Sequence, residues 1–334
     1  NFISLSEEGN YFGHDDAAQF LAIQGLASSL GAIGEEALRR STRSDKSRDP
    51  LYNQHKSYSE IFRMLGWYEP GSMQTNFKLA EFGEYIFEAT GSDLKKLFEL
   101  NTLHIVSPNP LTNVKGYNIL RPFPLILKLM DRLDGIICRD EIIIGVLACE
   151  NDRSPDVLDA TVEKIISIRR GGITALDYEM QSLREKNNIT SLETLSNYTR
   201  FPISALKWNN WALGVSIKGI YGERAYTMLQ LSEKGSDLVS TLQRSIDIRY
   251  EDIKEYSLDS QAAFVVWSNL YHLARIGYNI SGYQAAIPSL KEIANEIFVN
   301  FGINENENFI LFFGYQEAPR DLLIKGDEIL HGLI

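Results

Sequence analysis

The sequence predicts an α+β, predominantly helical protein made of tandem winged helix-turn-helix domains and a C-terminal helical segment. Three observations predict this fold class. A short strand-into-helix motif occurs three times, two of its copies follow helix, helix and hairpin patterns, and residues 251–334 differ in composition from the rest. The predicted domains are therefore 1–105, 106–250 and 251–334. A chain of 334 residues, 44% of them hydrophobic, is long enough for a full core and about two domains.

The repeated motif consists of an apolar residue, any residue, Leu, Ser or Ala, Glu, any residue and Gly. Alternating apolar residues before the motif are typical of a strand, and a Ser at the turn followed by Glu is typical of a helix start. A strand that runs directly into a helix is expected of the last wing strand of a winged helix, although single strand-turn-helix steps also arise by chance. The three copies are Ile3–Gly9, Phe77–Gly83 and Leu229–Gly235.

The first predicted unit lies upstream of the second copy of the motif. A helix over Asp15–Leu30 is broken by glycines, and a basic stretch over Glu35–Asp49 follows. Pro50 suits the first turn of a helix that is capped by Asp49 and runs to Leu65. The segment from Gly66 to Leu79, which turns at a Pro-Gly-Ser sequence, then predicts a two-stranded wing. This is the winged helix-turn-helix order.

The second predicted unit is larger and leads into the third copy. A recognition helix is predicted at Thr199–Ser216 and a wing at Gly219–Leu231, while Arg170–Asn188 is predicted to be an exposed, charged insertion. The other predicted helices of this unit are Leu120–Leu133, Arg139–Cys149, Pro155–Arg169 and Ser191–Ser196. The C-terminal segment is predicted to be helical at Ser260–Arg275 and Pro288–Phe301 and strand-like at Phe309–Phe313.

The net charge of −11 counts against a protein that binds nucleic acid with its whole surface. The charge is uneven, however. Residues 251–334 hold 5 Lys and Arg against 12 Asp and Glu, whereas residues 1–250 hold 28 against 32. A local basic patch on a mildly acidic body still attracts DNA, because phosphate contact depends on the local field.

Two groups of residues are candidate contacts to double-stranded DNA. Arg forks bind guanine edges or phosphates, and Asn and Gln bind adenine edges. A solvated charge run and ordinary polar residues at a helix start are the alternative explanations. The candidates in the first unit are Arg39, Arg40, Arg43, Lys46, Arg48, Asn53, Gln54, His55 and Lys56. The candidates in the second unit are Thr199, Arg200, Lys207, Asn209, Asn210, Lys218 and Arg224.

No catalytic or metal-binding residues are predicted in this chain. The string nearest to a metal-dependent nuclease centre is Asp156 with Glu163 and Lys164, but these residues lie on one amphipathic helix pattern. The five histidines share no ligand spacing. Two cysteines without disulfide or zinc spacing, together with the lack of a membrane span and of a signal peptide, predict a cytoplasmic protein. Because the sequence starts with Asn1, it is expected to be a fragment or to have lost its first residues.

Several segments together resemble a known family. They are Ser41–Asp45, Pro50, Tyr58–Trp67, Leu79–Gly83, Arg121–Met130, Glu141–Ile144 and Val162–Arg169. In order and spacing they are similar to the N-terminal part of AlwI-like type IIS restriction and nicking endonucleases, over about residues 15–245. In that family the N-terminal half recognises an asymmetric DNA site through winged-helix subdomains, and a separate PD-(D/E)xK domain cuts with magnesium.

The resemblance implies a sequence-specific DNA-recognition module of a restriction endonuclease that lacks its own nuclease centre. Its partners would be duplex DNA and a nuclease domain or subunit, and Mg²⁺ is expected only in that separate nuclease domain. Three alternatives remain. The chain is a winged-helix protein that binds other proteins, a transcription regulator, or a complete enzyme whose metal site the sequence does not reveal.

Overall fold

The computed structural model describes residues 12–25, 27–29, 31–41, 50–68, 76–77, 79, 86, 89, 91–106, 120–304, 309–314 and 317–334. These residues are mostly helical with short strands, so the predominantly helical α+β class is confirmed. They form two compact units. The first unit contains residues 1–101, 250–299 and 314–334, and the second contains 102–249 and 300–313. The predicted boundaries after residues 105 and 250 lie near these changes, but most of the C-terminal segment belongs to the first unit.

The N-terminal part of the first unit is built from short elements. Its core contains Ala17, Leu21, Ala37, Leu51 and Tyr68. Its strands are β1 Phe12–Gly13, β2 Ser28–Ser29, β3 Ala32–Ile33 and β4 Asn76–Phe77. Its helices are α1 His14–Ile23, α2 Glu35–Ser41, α3 Pro50–Met64 and α4 Gly91–His104, of which the last three residues belong to the second unit.

Two predictions for this part need correction. The predicted helix Asp15–Leu30 ends at Ile23, because Gly25 adopts a φ of 70° and Ser28–Ser29 pairs with Ala32–Ile33 as a hairpin. The predicted basic stretch begins as helix α2. The helix from Pro50 is confirmed. Of the predicted wing, the structure describes an antiparallel bridge between Tyr68 and Leu79, while β4 pairs with β1.

The C-terminal part of the first unit surrounds one buried helix. Helix α12 is buried along most of its length, and Trp267 packs edge-on against Phe298 at 4.5 Å between ring centroids. The elements of this part are α11 Tyr250–Ile253, α12 Leu258–Arg275, α13 Ile287–Ile293, α14 Asn295–Asn300, whose last residue belongs to the second unit, and α15 Arg320–Leu333. None of the helices in the described part of the chain has the length and apolar character needed to cross a bilayer.

The second unit places helices around a three-stranded sheet. Its helices are α5 Pro122–Arg132, α6 Arg139–Ala148, α7 Pro155–Lys186, α8 Leu192–Tyr198, α9 Arg200–Trp208 and α10 Glu233–Leu242. Its strands are β5 Ile136–Cys138, β6 Ala212–Ile217, β7 Tyr226–Leu231, β8 Ser245–Asp247 and β9 Ile310–Phe312. The strand order in the sheet is β5-β7-β6, with both pairs antiparallel.

Local sequence signals explain the helix starts in this unit. Pro122 and Pro155 occupy the first turns of α5 and α7, where no intrahelical N–H bond is lost. Ser154, Ser191 and Ser232 each accept a backbone N–H with their side chain at the start of a helix. The prediction that the third motif copy joins a strand to a helix is therefore confirmed, since β7 leads through Ser232 into α10.

Helix α7 is longer than predicted and is kinked. Gly172 has a φ of 72°, which interrupts the helical backbone between the two parts. The predicted exposed insertion Arg170–Asn188 is mainly the second part of this helix. Most of its residues are exposed, as predicted, but Leu176, Met180 and Leu183 are buried, so it is not exposed on all sides.

The predicted recognition helix Thr199–Ser216 is also wrong in its second half. The helix ends at Trp208, and Ala212–Ile217 forms strand β6, paired with β7. The predicted wing starts too late for the same reason, because the hairpin begins at Ala212 and turns over residues 218–225.

A largely buried ion network joins the start of α5 to strands β8 and β9. Arg121 donates to Asp247 at 2.8 Å and to the backbone oxygens of Ile248 and Phe312. Arg249 bonds both Asp247 and Asp152. Strands β8 and β9 are parallel here, so residues far apart in sequence are joined at one site.

Candidate nucleic-acid interface

Helix α9 and the β6–β7 hairpin follow each other directly and form the candidate interface. Ala205 and Leu206 bury one side of α9, and Asn210 adopts a φ of 56° just after the helix. The buried ring of Trp211 then begins the connection into β6. This short turn fixes the end of α9 beside the start of the hairpin.

The register of the hairpin gives it two different faces. Ser216 lies opposite Thr227 and Gly214 lies opposite Leu229, and directly opposed residues share one face. Lys218 continues the alternation of Gly214 and Ser216 just past the end of β6. Ser216, Lys218 and Thr227 are exposed, and we call this side of the hairpin the polar face.

The opposite side, which we call the anchored face, carries Val215, Ile217, Tyr226 and Met228. Met228 is fully buried. The Tyr226 hydroxyl donates to Asp140 Oδ2 at 2.9 Å, at the start of α6. Burial raises the pKa of Asp140, although the hydrogen bond from Tyr226 partly opposes that rise. Near its turn the hairpin is thus held on one side and exposed at Ser216 and Thr227 on the other, whereas Leu229, farther from the turn on that second side, is buried.

The turn of the hairpin is held by Glu141. This carboxylate is fully buried and accepts from Tyr221 Oη at 2.5 Å, from Arg169 Nε at 2.7 Å and from Cys138 N at 2.8 Å. Arg169 Nη2 also donates to Ile136 O at 2.7 Å. Burial and the charge of Glu141 raise the pKa of Tyr221, so the hydroxyl keeps its proton and remains a donor.

Four cationic side chains are exposed on α9 and the hairpin: Arg200, Lys207, Lys218 and Arg224. None of them forms an ion pair with a residue in the described ranges. A Cβ atom added at Gly214 would lie 3.2 Å from Lys207 Nζ, so the Lys207 ammonium lies over the polar face at Gly214. The free positive charge needed for phosphate contact is therefore present locally.

Charge is also distributed unequally between the two units. The second unit contains 18 Lys and Arg against 19 Asp and Glu, whereas the first contains 15 against 25. The excess of acidic residues therefore lies mainly in the first unit, so it is only weak evidence against nucleic-acid binding by the second unit.

Two predicted candidates of the second unit are buried. Thr199 has no exposed surface, and its hydroxyl donates to Ser196 O at 2.8 Å. Asn209 is equally buried at the end of α9. Their proposed DNA contact is withdrawn, because a side chain without exposed surface cannot reach a base. Asn210 is exposed, and its carbonyl oxygen accepts from Ser232 Oγ.

In the first unit the structure describes only part of the predicted cluster. Arg39 and Arg40 are exposed, but both bind Glu36, and these bonds lower the pKa of Glu36 to about 2. Asn53 is exposed, whereas His55 is fully buried and is therefore withdrawn as a DNA contact. Arg43, Lys46, Arg48 and the side chains of Gln54 and Lys56 lie outside the described residues.

Sequence reasoning missed several residues of the interface. Ser216 was not selected, because the residues up to Ser216 were predicted to be helical, and Thr227 was not selected although it lies in the predicted wing. The alternation of Gly214, Ser216 and Lys218 is a signal that would have found Ser216. The roles of Glu141 and Tyr221 depend on a contact across 80 positions, which no local pattern reveals.

The described residues contain no group of three or more His, Cys, Asp or Glu side chains arranged to hold a metal ion. Asp156 and Glu163 are exposed on α7, and Lys164 forms an ion pair with Glu179. Comparison of the chain with protein-family models gives no match, and neither does comparison with curated proteins.

Proposed function

We propose that the second unit binds duplex DNA in a sequence-specific manner through α9 and the β6–β7 hairpin. The observation that carries this proposal is the presence of four exposed cationic side chains, without ion pairs to the described part of the chain, on a helix and a hairpin that is anchored from behind. Duplex DNA is a dense array of negative charge, and exposed Lys and Arg side chains release its counterions on binding.

The order of elements supports a winged-helix fold for this unit. Helix α5 is followed by strand β5 and helix α6, and then, after α7 and α8, by helix α9 and strands β6 and β7. Strand β7 lies between β5 and β6, so the first strand pairs with the last. In winged helix-turn-helix proteins a helix enters the major groove and the hairpin contacts the flanking backbone. We extend the proposal to a second winged helix in the first unit, which the exposed Asn53 and the bridge between Tyr68 and Leu79 support.

We also propose that the chain serves as the recognition part of a type IIS-like restriction endonuclease in the cytoplasm. The resemblance of residues 15–245 to that family supports this proposal, and so do the free, buried thiols of Cys138 and Cys149. Cleavage would then require a nuclease domain or subunit that carries Mg²⁺. Incubation of the chain alone with supercoiled plasmid and Mg²⁺ tests this, because nicking would contradict it.

Selection from a pool of randomised duplexes tests the central proposal. The full chain is expected to enrich one asymmetric sequence. By fluorescence anisotropy it should bind that duplex at least about 10³-fold more tightly than a scrambled duplex. Arg200→Ala and Arg224→Ala should weaken binding, whereas Lys186→Ala, at the far end of α7, is the matched control. Equal affinity for the selected and scrambled duplexes would contradict sequence-specific recognition.

A second candidate function is a winged-helix protein that binds other proteins or regulates transcription. The excess of ten acidic residues in the first unit favours a protein partner for that unit. The two candidates differ in a simple experiment. Failure of the full chain to shift a mixed-sequence duplex at low salt would favour the protein-binding function.

A further inference from the structure

We infer that the polar face of the β6–β7 hairpin is a phosphate-binding strip, in which Lys207, Ser216, Thr227 and Lys218 contact consecutive phosphates of one DNA strand. This inference rests on the proposed function and makes it more specific. It assigns two of the four exposed cations to the DNA backbone, and it adds two hydroxyl residues to the interface.

The first argument is position. Lys207 comes from α9, but its ammonium lies over Gly214 of β6, where the absence of a side chain leaves room for it. Ser216 follows on the same face two residues after Gly214, with Thr227 directly opposite. Lys218 comes two residues after Ser216, just past the end of the strand, and is exposed. The strip thus has an ammonium at each end and two hydroxyl groups between them.

The second argument is length. A strand rises by about 3.3 Å per residue, so Gly214 and Lys218 lie about 13 Å apart. Each strand of a DNA duplex carries one phosphate for about every 3.4 Å of helix axis. Because the backbone also winds around that axis, neighbouring phosphates lie farther apart along the strand than this rise. A strip of this length therefore spans about two or three consecutive phosphates, which four donor side chains suffice to contact.

The third argument is chemistry. Lysine ends in a compact, hydrated point charge on a flexible stem, which suits a phosphate better than the flat edge of a base. Ser and Thr hydroxyls donate hydrogen bonds to phosphate oxygens, and such contacts position a protein on DNA without reading sequence. The strip contains no Asn or Gln, which make bidentate contacts to adenine, and its cations are lysines, which lack the rigid fork of Arg.

The fourth argument is rigidity. Tyr226 holds the anchored face to Asp140, and Tyr221 holds the turn to Glu141. The polar face therefore cannot turn inward without breaking hydrogen bonds to two carboxylates. A preorganised strip loses less conformational entropy when it binds than a mobile loop does.

Salt-dependent binding of the full chain tests the inference. Affinities for the selected duplex and for a scrambled duplex of equal length are measured by anisotropy over a series of salt concentrations. Lys207→Ala and Lys218→Ala are each expected to reduce the slope of log affinity against log salt by about 0.9. Each should also weaken binding to the two duplexes by the same factor.

Matched variants make the result specific. Lys207→Arg should restore the slope, because it keeps the charge. Thr227→Val should weaken binding to both duplexes by the same factor with little change of slope, since it removes a hydroxyl and no charge. Lys186→Ala removes one lysine from the end of α7 and should leave affinity and slope unchanged. Circular dichroism of each variant checks that the fold is retained.

The outcomes separate the two proposals. If the unaltered chain binds no duplex at low salt, both the proposed function and the strip fail. If it binds but the two alanine variants keep the original slope, only the strip is wrong. If a lysine variant weakens binding to the selected duplex but not to the scrambled one, that lysine contacts bases, and the assignment to phosphates is overturned.

Discussion

The hydroxyl of Tyr221, in the turn of the β6–β7 hairpin, donates a 2.5 Å hydrogen bond to Glu141, which is fully buried at the start of α6. Arg169 of α7 neutralises the same carboxylate. One side chain thus joins the hairpin turn to two helices. The orientation of the proposed DNA-binding hairpin therefore depends on a buried polar cluster rather than on the hairpin itself.

Removal of the Tyr221 hydroxyl tests this connection. Tyr221→Phe should lower the free energy of unfolding by about 1.5–3 kcal/mol, because a buried hydrogen bond to a charged group is lost. Urea unfolding measures the change. Tyr178→Phe is the control, since Tyr178 is 75% exposed, and it should alter stability by less than about 0.5 kcal/mol. Equal stability of the two variants would show that the hydrogen bond does not hold the turn.

Neutralisation of Glu141 should be more damaging. Glu141→Gln leaves the Arg169 guanidinium, which is 15% exposed, without its counter-charge. Breaking a buried ion pair on one side typically costs about 3–5 kcal/mol. Thermal unfolding is the measurement, and Glu150→Gln, at an exposed position, is the matched control. A small loss similar to that of the control would contradict the role given to Glu141.

The third copy of the repeated motif requires its glycine for steric reasons. A Cβ atom at Gly235 would overlap the backbone oxygen of Trp211, which cannot move as a side chain can. Gly235→Ala should therefore destabilise the protein by about 1–3 kcal/mol or more. Gly332→Ala, in a helix with open space around it, should instead stabilise by up to about 1 kcal/mol. Chemical unfolding measures the free energy of unfolding of both variants. A decrease for Gly235→Ala with an increase for Gly332→Ala would confirm the explanation, whereas an increase for both would refute it.

The stability of the second unit should fall in acid through Asp247. Burial alone would raise the pKa of Asp247, but Arg121 and Arg249 hold it below its ordinary value of 3.8. A depressed pKa in the folded state adds stability above pH 3.8, and this stability is lost as the pH falls through the folded-state pKa. We therefore expect the free energy of unfolding to decline below about pH 4.

The variant Asp247→Asn separates this group from the other carboxylates. It leaves the buried charges of Arg121 and Arg249 with less compensation, so stability at pH 7 should fall by about 3 kcal/mol. Its acid decline should also be shallower than that of the unaltered chain. Denaturant titrations between pH 3 and pH 7 provide both values. If the free energy of unfolding of the variant falls in acid as steeply as that of the unaltered chain, the acid dependence comes from other groups.

Local sequence signals predicted much of the fold. Pro50, Pro122 and Pro155 mark three helix starts, and the motif ending at Gly235 marks the exit from the hairpin. These signals act within a few residues, so they can be recognised without knowledge of the remaining chain.

Long-range pairing could not be predicted in the same way. Residues 212–216 were assigned to a helix, but they form a strand because β7 offers them partners. The strand-like character of Phe309–Phe313 was recognised, whereas its parallel partner Ser245–Asp247 lies more than sixty positions earlier. Burial of His55, Thr199 and Asn209 likewise depends on packing, since polar residues at helix ends are ordinarily exposed.

Acetylation of lysines in the presence and absence of the selected duplex tests the central claim most directly. Lys207, Lys218 and Lys186 are all exposed in the free protein, so each should react there at a measurable rate by mass spectrometry. With saturating duplex, we expect strong protection of Lys207 and Lys218 and no protection of Lys186. Unchanged modification of Lys207 and Lys218 under conditions where the duplex is bound would contradict the assignment of α9 and the β6–β7 hairpin as the DNA-binding surface.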